Sequence, residues 1–379
     1  MKITEPSFSE EEIDQVRAVL ASKWVTQGPM TERFEKLVAD RHGVKFAIAC
    51  TSCTAALHLV AMGLELKADD EVIVPAFTWI TSANAAEYVG ARVVFADVDV
   101  DTYNIEPAKL EAAITPRTKA VIAVHLFGLA SPMDEIAAIC APRNIVVIED
   151  AACAIGTNYK GRPVGGIGDI GCFSFHPRKV ITTGEGGMVT TNREDLAIAV
   201  RSLRNHGATG TPDPSIEPHG PWTMATFNRL GFNLRLSDIQ AAVGVAQMSK
   251  LEHLLRERRA RAQRYSSLLT GLQELATPDR NGDAAGHSYQ SYVVRITSGG
   301  RKRRNEIMRF LAEESIDTRP GTHAVHRLGY YADKYRYQSE DFPKAALCED
   351  TTITLPLFPG MTDGDQDKVV ELLATAVRS

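Results

Sequence analysis

The sequence is short of several things, and each shortage closes off a class of function. No apolar run approaches the roughly 18 residues that a membrane-spanning helix needs, so no span is expected. The opening MKITEPSFSEEEIDQV lacks the apolar core of a secretory signal, and a cytoplasmic location is the expectation. Surplus positive charge is missing too. Lys and Arg number 42 against 47 Asp and Glu, a formal net charge of −5, which argues against a nucleic-acid footprint. The basic run Arg301-Lys302-Arg303-Arg304 opens a helical pattern and reads as a solvated face. Cysteine is sparse: Cys50, Cys53, Cys140, Cys153, Cys172 and Cys348 are scattered and read as reduced, mostly buried thiols. Cys50 and Cys53 form a C-x-x-C, but no second pair at zinc spacing accompanies it, so no metal site is expected. The pattern around it is not thioredoxin-like. Repeats and low-complexity tracts are absent.

What is present is length and alternation. A chain of 379 residues exceeds one ordinary core, and 44% hydrophobic with 23% charged residues reads as globular. Short apolar runs recur at Glu71 to Phe77, Val93 to Phe95, Ala120 to Val124 and Ile145 to Ile148. Helical patterns lie between them, as at Ser82 to Val89 and Pro132 to Ala141. Continuous apolar strands separated by helices predict a parallel sheet covered on both faces, a doubly wound α/β domain. The pattern changes after about residue 245. A long charged helix near Ala246 to Leu269, a loop at 278–287, a strand at Ser291 to Ile296 and helices at Arg303 to Ser315 and from about Asp365 follow. We read a large domain over 1–245 and a smaller α+β domain over 246–379. The stretch from Gly207 to Pro221, rich in Gly, Pro and Thr, is expected to be a mobile loop.

In a doubly wound sheet, ligands gather beyond the carboxyl ends of the strands. Three features fall there. Ala49-Cys-Thr-Ser-Cys-Thr-Ala-Ala places small hydroxylated residues before an alanine-rich helix, whose first N–H groups make an anion site. A capped helix and nothing more is the alternative. Ile145-Val-Val-Ile-Glu-Asp150 ends an apolar strand on acids, and Asp150 suits a cationic partner such as a protonated ring nitrogen; a helix cap or salt bridge competes with that reading. Lys179 sits in a short connection between Cys172-Phe-Ser-Phe175 and Met188-Val-Thr-Thr191, flanked by residues of buried type. A desolvated lysine becomes a nucleophilic amine and makes Schiff bases. Gly166-Ile-Gly-Asp-Ile-Gly171 matches G-x-G-x-x-G in form only, since a strand follows it rather than a helix. An anion cradle, a carboxylate and a loop lysine together are what pyridoxal phosphate requires.

These residues carry a resemblance. Glu149-Asp-Ala-Ala152, Ser174-Phe-His-Pro-Arg-Lys179, Thr183-Gly-Glu-Gly-Gly187 and Gly231-Phe-Asn-Leu-Arg-Leu-Ser-Asp238 resemble motifs of the DegT/DnrJ/EryC1/StrS sugar aminotransferases. The likeness runs from Trp24-Val-Thr-Gln-Gly-Pro29 to Leu355-Pro-Leu-Phe-Pro359. It implies an aspartate-aminotransferase-like fold, pyridoxal-phosphate fold type I, with a mostly parallel central sheet. It implies that Lys179 bonds the cofactor and shuttles protons, and that Asp150 pairs with the pyridinium. It also implies that Thr54, Ala55 and Ser174 hold the phosphate and that Trp79 stacks on the ring. Asn233 would reach the phosphate from a neighbouring subunit, so a homodimer with shared sites is expected. The bland readings are a helix cap for Asn233 and core filling for Trp79.

Three departures from the family pattern stand out. Cys153 replaces the usual Gln or His near the cofactor's phenolic oxygen, and is a weaker partner. Ser52-Cys53-Thr54 replaces Ser-Gly-Thr or Ser-Ala-Thr. Thr322-His-Ala-Val-His326 keeps only the final histidine of a stretch that lines the sugar site in relatives. His323 and His326 are therefore candidate substrate contacts, as is His176. A dehydratase branch of the family replaces the lysine with histidine; Lys179 favours transamination. The expected reaction moves an amino group from an amino acid, L-glutamate, to a nucleotide-linked keto-sugar. A free keto-sugar or cyclitol as acceptor, and a non-catalytic regulatory homologue that binds the cofactor, are the alternatives.

Overall fold

The computed structural model describes residues 1–209, 224–278 and 286–378. Most of the stretch read as a mobile loop, Gly207 to Pro221, lies outside the described residues, as does most of the loop at 278–287. A seven-stranded sheet forms the centre: β1 (Phe46–Cys50), β2 (Glu71–Pro75), β3 (Arg92–Ala96), β4 (Thr118–Val124), β5 (Val146–Asp150), β6 (Ile170–Ser174) and β7 (Gly187–Thr191). Their spatial order is β1-β7-β6-β5-β4-β2-β3. The five strands from β6 to β3 run parallel. β7 is antiparallel to both β6 and β1. The reason lies in the connection from β6 to β7: residues 175–186 contain no crossover helix, and a chain that turns back without one must return antiparallel.

Both faces of the sheet are covered, as the unbroken apolar runs require. Ala120, Ile122 and Val124 of β4 enter one core with the Cys53–Gly63 and Ile80–Glu87 helices. Val121 and Ala123 enter the other, with Phe34 and Val38 of the Pro29–His42 helix and Val245 and Leu251 of the long helix. Each fully buried Val or Ile contributes about 1.5–3 kcal/mol. The long helix spans Asp238–Leu268 and starts earlier than its apolar period suggests. A capping box starts it, in which Gln240 N–H donates to Ser237 Oγ at 3.3 Å and the Gln240 side chain turns back on Ser237. Asp238 meanwhile accepts from the N–H groups of Gly28 (2.8 Å), Met30 (3.1 Å) and Thr31 (2.9 Å), satisfying the start of the Pro29–His42 helix. Position 245 falls inside this single helix. A further sheet of Leu275–Ala276, Tyr292–Ile296 and Thr352–Leu355 has its own core with Leu311, Val369 and Leu373. The N-terminal segment joins it: Leu357 N–H donates to Ile3 O at 3.0 Å and Asp317 N–H to Met1 O at 2.9 Å. No helix among the described residues is long and apolar enough to cross a membrane.

The end of β5 positions the site. Successive strand residues face opposite sides, so Glu149 and Asp150 diverge. Glu149 is fully buried and accepts from Gly165 N (2.7 Å), Ile167 N (2.8 Å) and Gly168 N (2.7 Å). His125 Nε2 supplies a fourth bond at 2.9 Å, its Nδ1 being occupied as acceptor of Ser131 N–H at 3.0 Å. The glycine-rich turn thus wraps a carboxylate of its own chain. Gly165 is needed there: its φ is +85°, and a Cβ would lie 2.3 Å from the Phe173 ring. Burial alone would raise the Glu149 carboxyl; the His125 and backbone hydrogen bonds outweigh it and hold the group below its ordinary value of 4.5. A depressed folded-state value gives stability that is present above about pH 4.5 and lost as pH falls below it. Glu149→Gln places an amide N–H₂ among N–H donors and is expected to cost about 3 kcal/mol, read by denaturant unfolding near neutral pH. The difference between wild type and variant should shrink as the unfolding series is taken into acid.

Candidate active site

Asp150 leaves the sheet on the face opposite Glu149. It is buried, and both carboxylate oxygens are held. Ser82 Oγ donates to Oδ2 at 2.7 Å, and Ala152 N–H donates to Oδ1 at 3.1 Å. Ser82 lies in the first turn of the Ile80–Glu87 helix and is itself within 3.1 Å of Thr78 Oγ1. The carboxylate is therefore aimed by two elements at once. Sequence reading did not pick out Ser82; its one signal was its place in the turn that follows Trp79.

The lysine loop is stiff. Phe175 N–H donates to Gly186 O (2.9 Å) and Thr183 N–H returns to Phe175 O (3.0 Å), closing the loop at its neck. Thr182 Oγ1 donates to Phe175 O at 2.8 Å and accepts from Gly184 N at 2.9 Å. Two glutamines tie the loop to the rest of the chain. Gln247 Oε1 accepts from Thr182 N at 3.3 Å, and Gln290 Nε2 donates to Arg178 O at 2.8 Å. Val180 and Ile181 are buried beneath it. Lys179 is half-buried, and its Nζ donates to Cys153 Sγ at 3.2 Å.

The anion cradle is the start of the Cys53–Gly63 helix. Ser52 caps it by accepting from Ala55 N–H at 3.1 Å, so the N–H of Ala55 is engaged within the cap. The other first-turn N–H groups have no partner inside the helix. Gly187 of β7 lets this turn approach the sheet, since a Cβ there would stand 2.3 Å from Ser52 C and 2.7 Å from Cys53 N. Cys53 heads the helix, and the charges of both Asp150 and Lys179 reach its thiol, which burial first of all raises well above its ordinary value. Cradle, carboxylate and amine thus share one neighbourhood. Ser174, at the end of β6, is buried, and its Oγ accepts from His176 N at 3.5 Å.

The remaining candidates are more dispersed. Trp79 is exposed at the N-cap of the Ile80–Glu87 helix, its ring 5.5 Å from that of His323, so it does not fill core. His323 pairs through its backbone with Thr78. His326 is wholly buried, its ring 4.9 Å from Phe342, and burial holds its imidazole below the ordinary value. His176 is half-buried, with Nδ1 accepting from Arg178 N at 3.2 Å. Burial, with the charges of Lys179, Arg178 and Arg319, lowers it against the pull of Glu185. Asn233 is exposed and bridges Asn205 through its backbone; Ser237, not Asn233, caps the long helix. Five cysteines are buried and Cys153 is half-buried, and all are free. Among the described residues no three His, Cys, Asp or Glu side chains group as metal ligands would.

Pyridoxal phosphate fits this donor set. Its phosphate matches a helix N-terminus with hydroxyls, its ring nitrogen matches a fixed carboxylate, and its aldehyde matches a lysine amine.

Comparison with known proteins agrees. The profile of the DegT/DnrJ/EryC1/StrS aminotransferase family matches residues 6–374. The chain is 38% identical over 375 residues to the spore coat polysaccharide biosynthesis protein SpsC of Bacillus subtilis, covering 98% of this chain and 96% of the relative. It is likewise 38% identical over 374 residues to the GDP-perosamine synthase of Caulobacter vibrioides, covering 98% and 97%. Among solved structures, the PMP-form of the putative sugar aminotransferase Spr1654 from Streptococcus pneumoniae superposes with a TM-score of 0.94 at 29% identity, over 100% of this chain and 99% of that one. Fold, site chemistry and sequence thus converge: the chain belongs to the DegT/DnrJ/EryC1/StrS aminotransferase family and is a pyridoxal-phosphate-dependent aminotransferase.

Proposed function

We propose that this enzyme moves the amino group of L-glutamate to a nucleotide-linked keto-deoxysugar, in amino-sugar biosynthesis, as a homodimer with shared active sites. The observation that carries the reading is the Lys179 amine, held in a braced loop against Cys153, together with an Asp150 carboxylate fixed at both oxygens. The sugar acceptor is supported by relatives, one of them named a GDP-perosamine synthase. When bound, pyridoxal phosphate supplies an electron sink for the charge left on carbon after proton removal. The residues supply the rest. Thr54 and Ser174 would hold the phosphate with the N–H groups of the Cys53–Gly63 helix, Ala55 among them only if it leaves its bond to Ser52. Trp79 would cover one ring face. Asp150 would keep a proton on the ring nitrogen, its aim set by Ser82 and Ala152. Lys179 would remove a proton from the donor carbon and deliver one to the acceptor carbon, with Cys153 orienting the amine.

Asn233 supports the dimer, being exposed and flanked by exposed Met224, Phe227, Leu230 and Phe232. An apolar surface of that kind marks an interface.

Protein mixed with pyridoxal phosphate should show a visible absorbance band that bleaches on adding L-glutamate. Lys179→Ala should lose the band's shift and slow amine transfer by at least ~10³-fold, and Asp150→Asn should slow it by at least ~10²-fold. Colourless wild-type protein would sink the proposal. Shared sites have their own readout: refolding Lys179→Ala together with Asn233→Ala should regain up to ~25% of wild-type activity, because half the dimers would be mixed and each would carry one intact site. No recovery in sedimentation-verified mixed dimers would mean that Asn233 serves its own subunit.

A further inference from the structure

One of the six cysteines differs from the rest. Cys50, Cys53, Cys140, Cys172 and Cys348 are buried. Burial pushes Cys140 up to about 11 and Cys50 and Cys348 up to about 12, and holds Cys53 and Cys172 well above the ordinary thiol value. Thiols kept protonated in apolar surroundings are inert to oxidants. Cys153 is only half-buried. Among the described residues its sulfur has a single hydrogen-bond partner, Lys179 Nζ at 3.2 Å. The Arg319 guanidinium lies within electrostatic reach of the same sulfur. An amine and a guanidinium thus flank the one cysteine that solvent can reach, and a part-exposed thiol among such groups is where oxidation begins.

Both partners are anchored through their backbones. Cys153 lies in a turn in which Ala154 N–H donates to Ala151 O at 2.8 Å, and its own carbonyl accepts from Ser288 Oγ at 3.3 Å. Lys179 N–H donates to His176 O at 2.8 Å, and the preceding carbonyl, that of Arg178, is pinned by Gln290 at 2.8 Å. Thiol and amine therefore meet at the tips of two fixed loops, and a bond between them asks little movement of either backbone. A cysteine oxidised to the sulfenic acid condenses with a thiol or with a nitrogen, whichever is at hand. We propose that Cys153 and Lys179 are the two ends of a peroxide-driven sulfur–nitrogen cross-link that withdraws the lysine from catalysis. First, the Cys153 sulfur attacks one oxygen of hydrogen peroxide; the O–O bond breaks, the sulfenic acid forms and a water leaves. Sulfur is oxidised by two electrons and the peroxide is reduced. Next, the Lys179 Nζ lone pair attacks that sulfur; the S–N bond forms, the S–O bond breaks, and hydroxide leaves with a proton from nitrogen as a second water. A dithiol reverses the link. One thiol attacks the sulfur, the S–N bond breaks and the amine takes up the proton; closure of the dithiol to its disulfide then returns the cysteine. The link needs a free amine. Pyridoxal phosphate bonded to Lys179 blocks it, whereas the aminated cofactor carries no aldehyde and leaves the amine open. The enzyme is thus open to oxidation in one half of its catalytic cycle, whatever its donor and acceptor.

Peptide mass spectrometry on the holoenzyme tests it. Protein loaded with pyridoxamine phosphate and treated with hydrogen peroxide should yield the Cys153 and Lys179 peptides joined, lighter by two hydrogens than their sum, and dithiothreitol should part them. Protein loaded with pyridoxal phosphate should form the joined pair at least ~10-fold more slowly. Cross-linked protein moved into pyridoxal phosphate should develop no visible band until dithiothreitol is added. Cys153→Ser should develop its band equally before and after peroxide. Lys179→Arg keeps the positive charge but offers no nucleophilic amine, so its Cys153 should run on to the sulfinic acid, which dithiothreitol does not return. The comparison between the two cofactor forms of the wild type stands without either variant. Sulfinic acid at Cys153 of the wild type with no joined pair would overturn the inference. So would a disulfide from Cys153 to another cysteine, or joining at the same rate under pyridoxal phosphate. A joined pair heavier by one oxygen would uphold the cross-link and overturn the direct sulfur–nitrogen bond.

Discussion

The buried Glu149 carboxylate is the constraint on which the site depends. It sits where no water can solvate it, and four hydrogen bonds replace that water. A buried charge met so completely admits one geometry, because any slip leaves donors or the charge itself unpaired. Satisfying it fixes the glycine-rich turn, the His125 tautomer and the last residues of β5 together. With Glu149 pinned on one side of the sheet, Asp150 has no freedom on the other. The strand end that carries the catalytic-side carboxylate is thus held from behind, by a residue on the opposite face, while Ser82 and Ala152 aim the carboxylate itself.

The lysine loop is braced by a second set of contacts that are wholly long-range. Gln247 reaches it from the long helix and also donates to Ser7 O and to Glu12 Oε1, both at 2.7 Å. Gln290 reaches it from the segment before Tyr292–Ile296. Arg258, buried and without a carboxylate partner among the described residues, grips three backbone carbonyls of the C-terminal part from the same long helix. One helix therefore carries the N-terminal segment, the lysine loop and the second sheet. Such bracing suits a nucleophile that must serve two substrates in turn, since each must find the amine in the same place.

Several features were readable from residues alone. The parallel strands follow from unbroken apolar runs that can only be buried on both faces. Asp150 was found because a carboxylate ending such a strand falls where ligands gather, and Lys179 because its flanks are of buried type. The glycine run is a turn that leads into a strand, as its sequence suggests, but that it encloses Glu149 could not be foreseen from one strand and one turn. Ser82 and Gln247 were not legible either. Each is an ordinary polar residue in an ordinary helix, and each matters through a partner scores of positions away.

Sequence by itself determined the element types, the two-sided sheet and the residues able to do the chemistry, because periodicity and side-chain chemistry are local properties. Only the tertiary structure decided the antiparallel return of β7, the direction in which each acid points, and the burial of His326 against the half-burial of His323. Those outcomes depend on which distant segments pack together, and packing is settled by burying the whole chain at once rather than by any stretch of it.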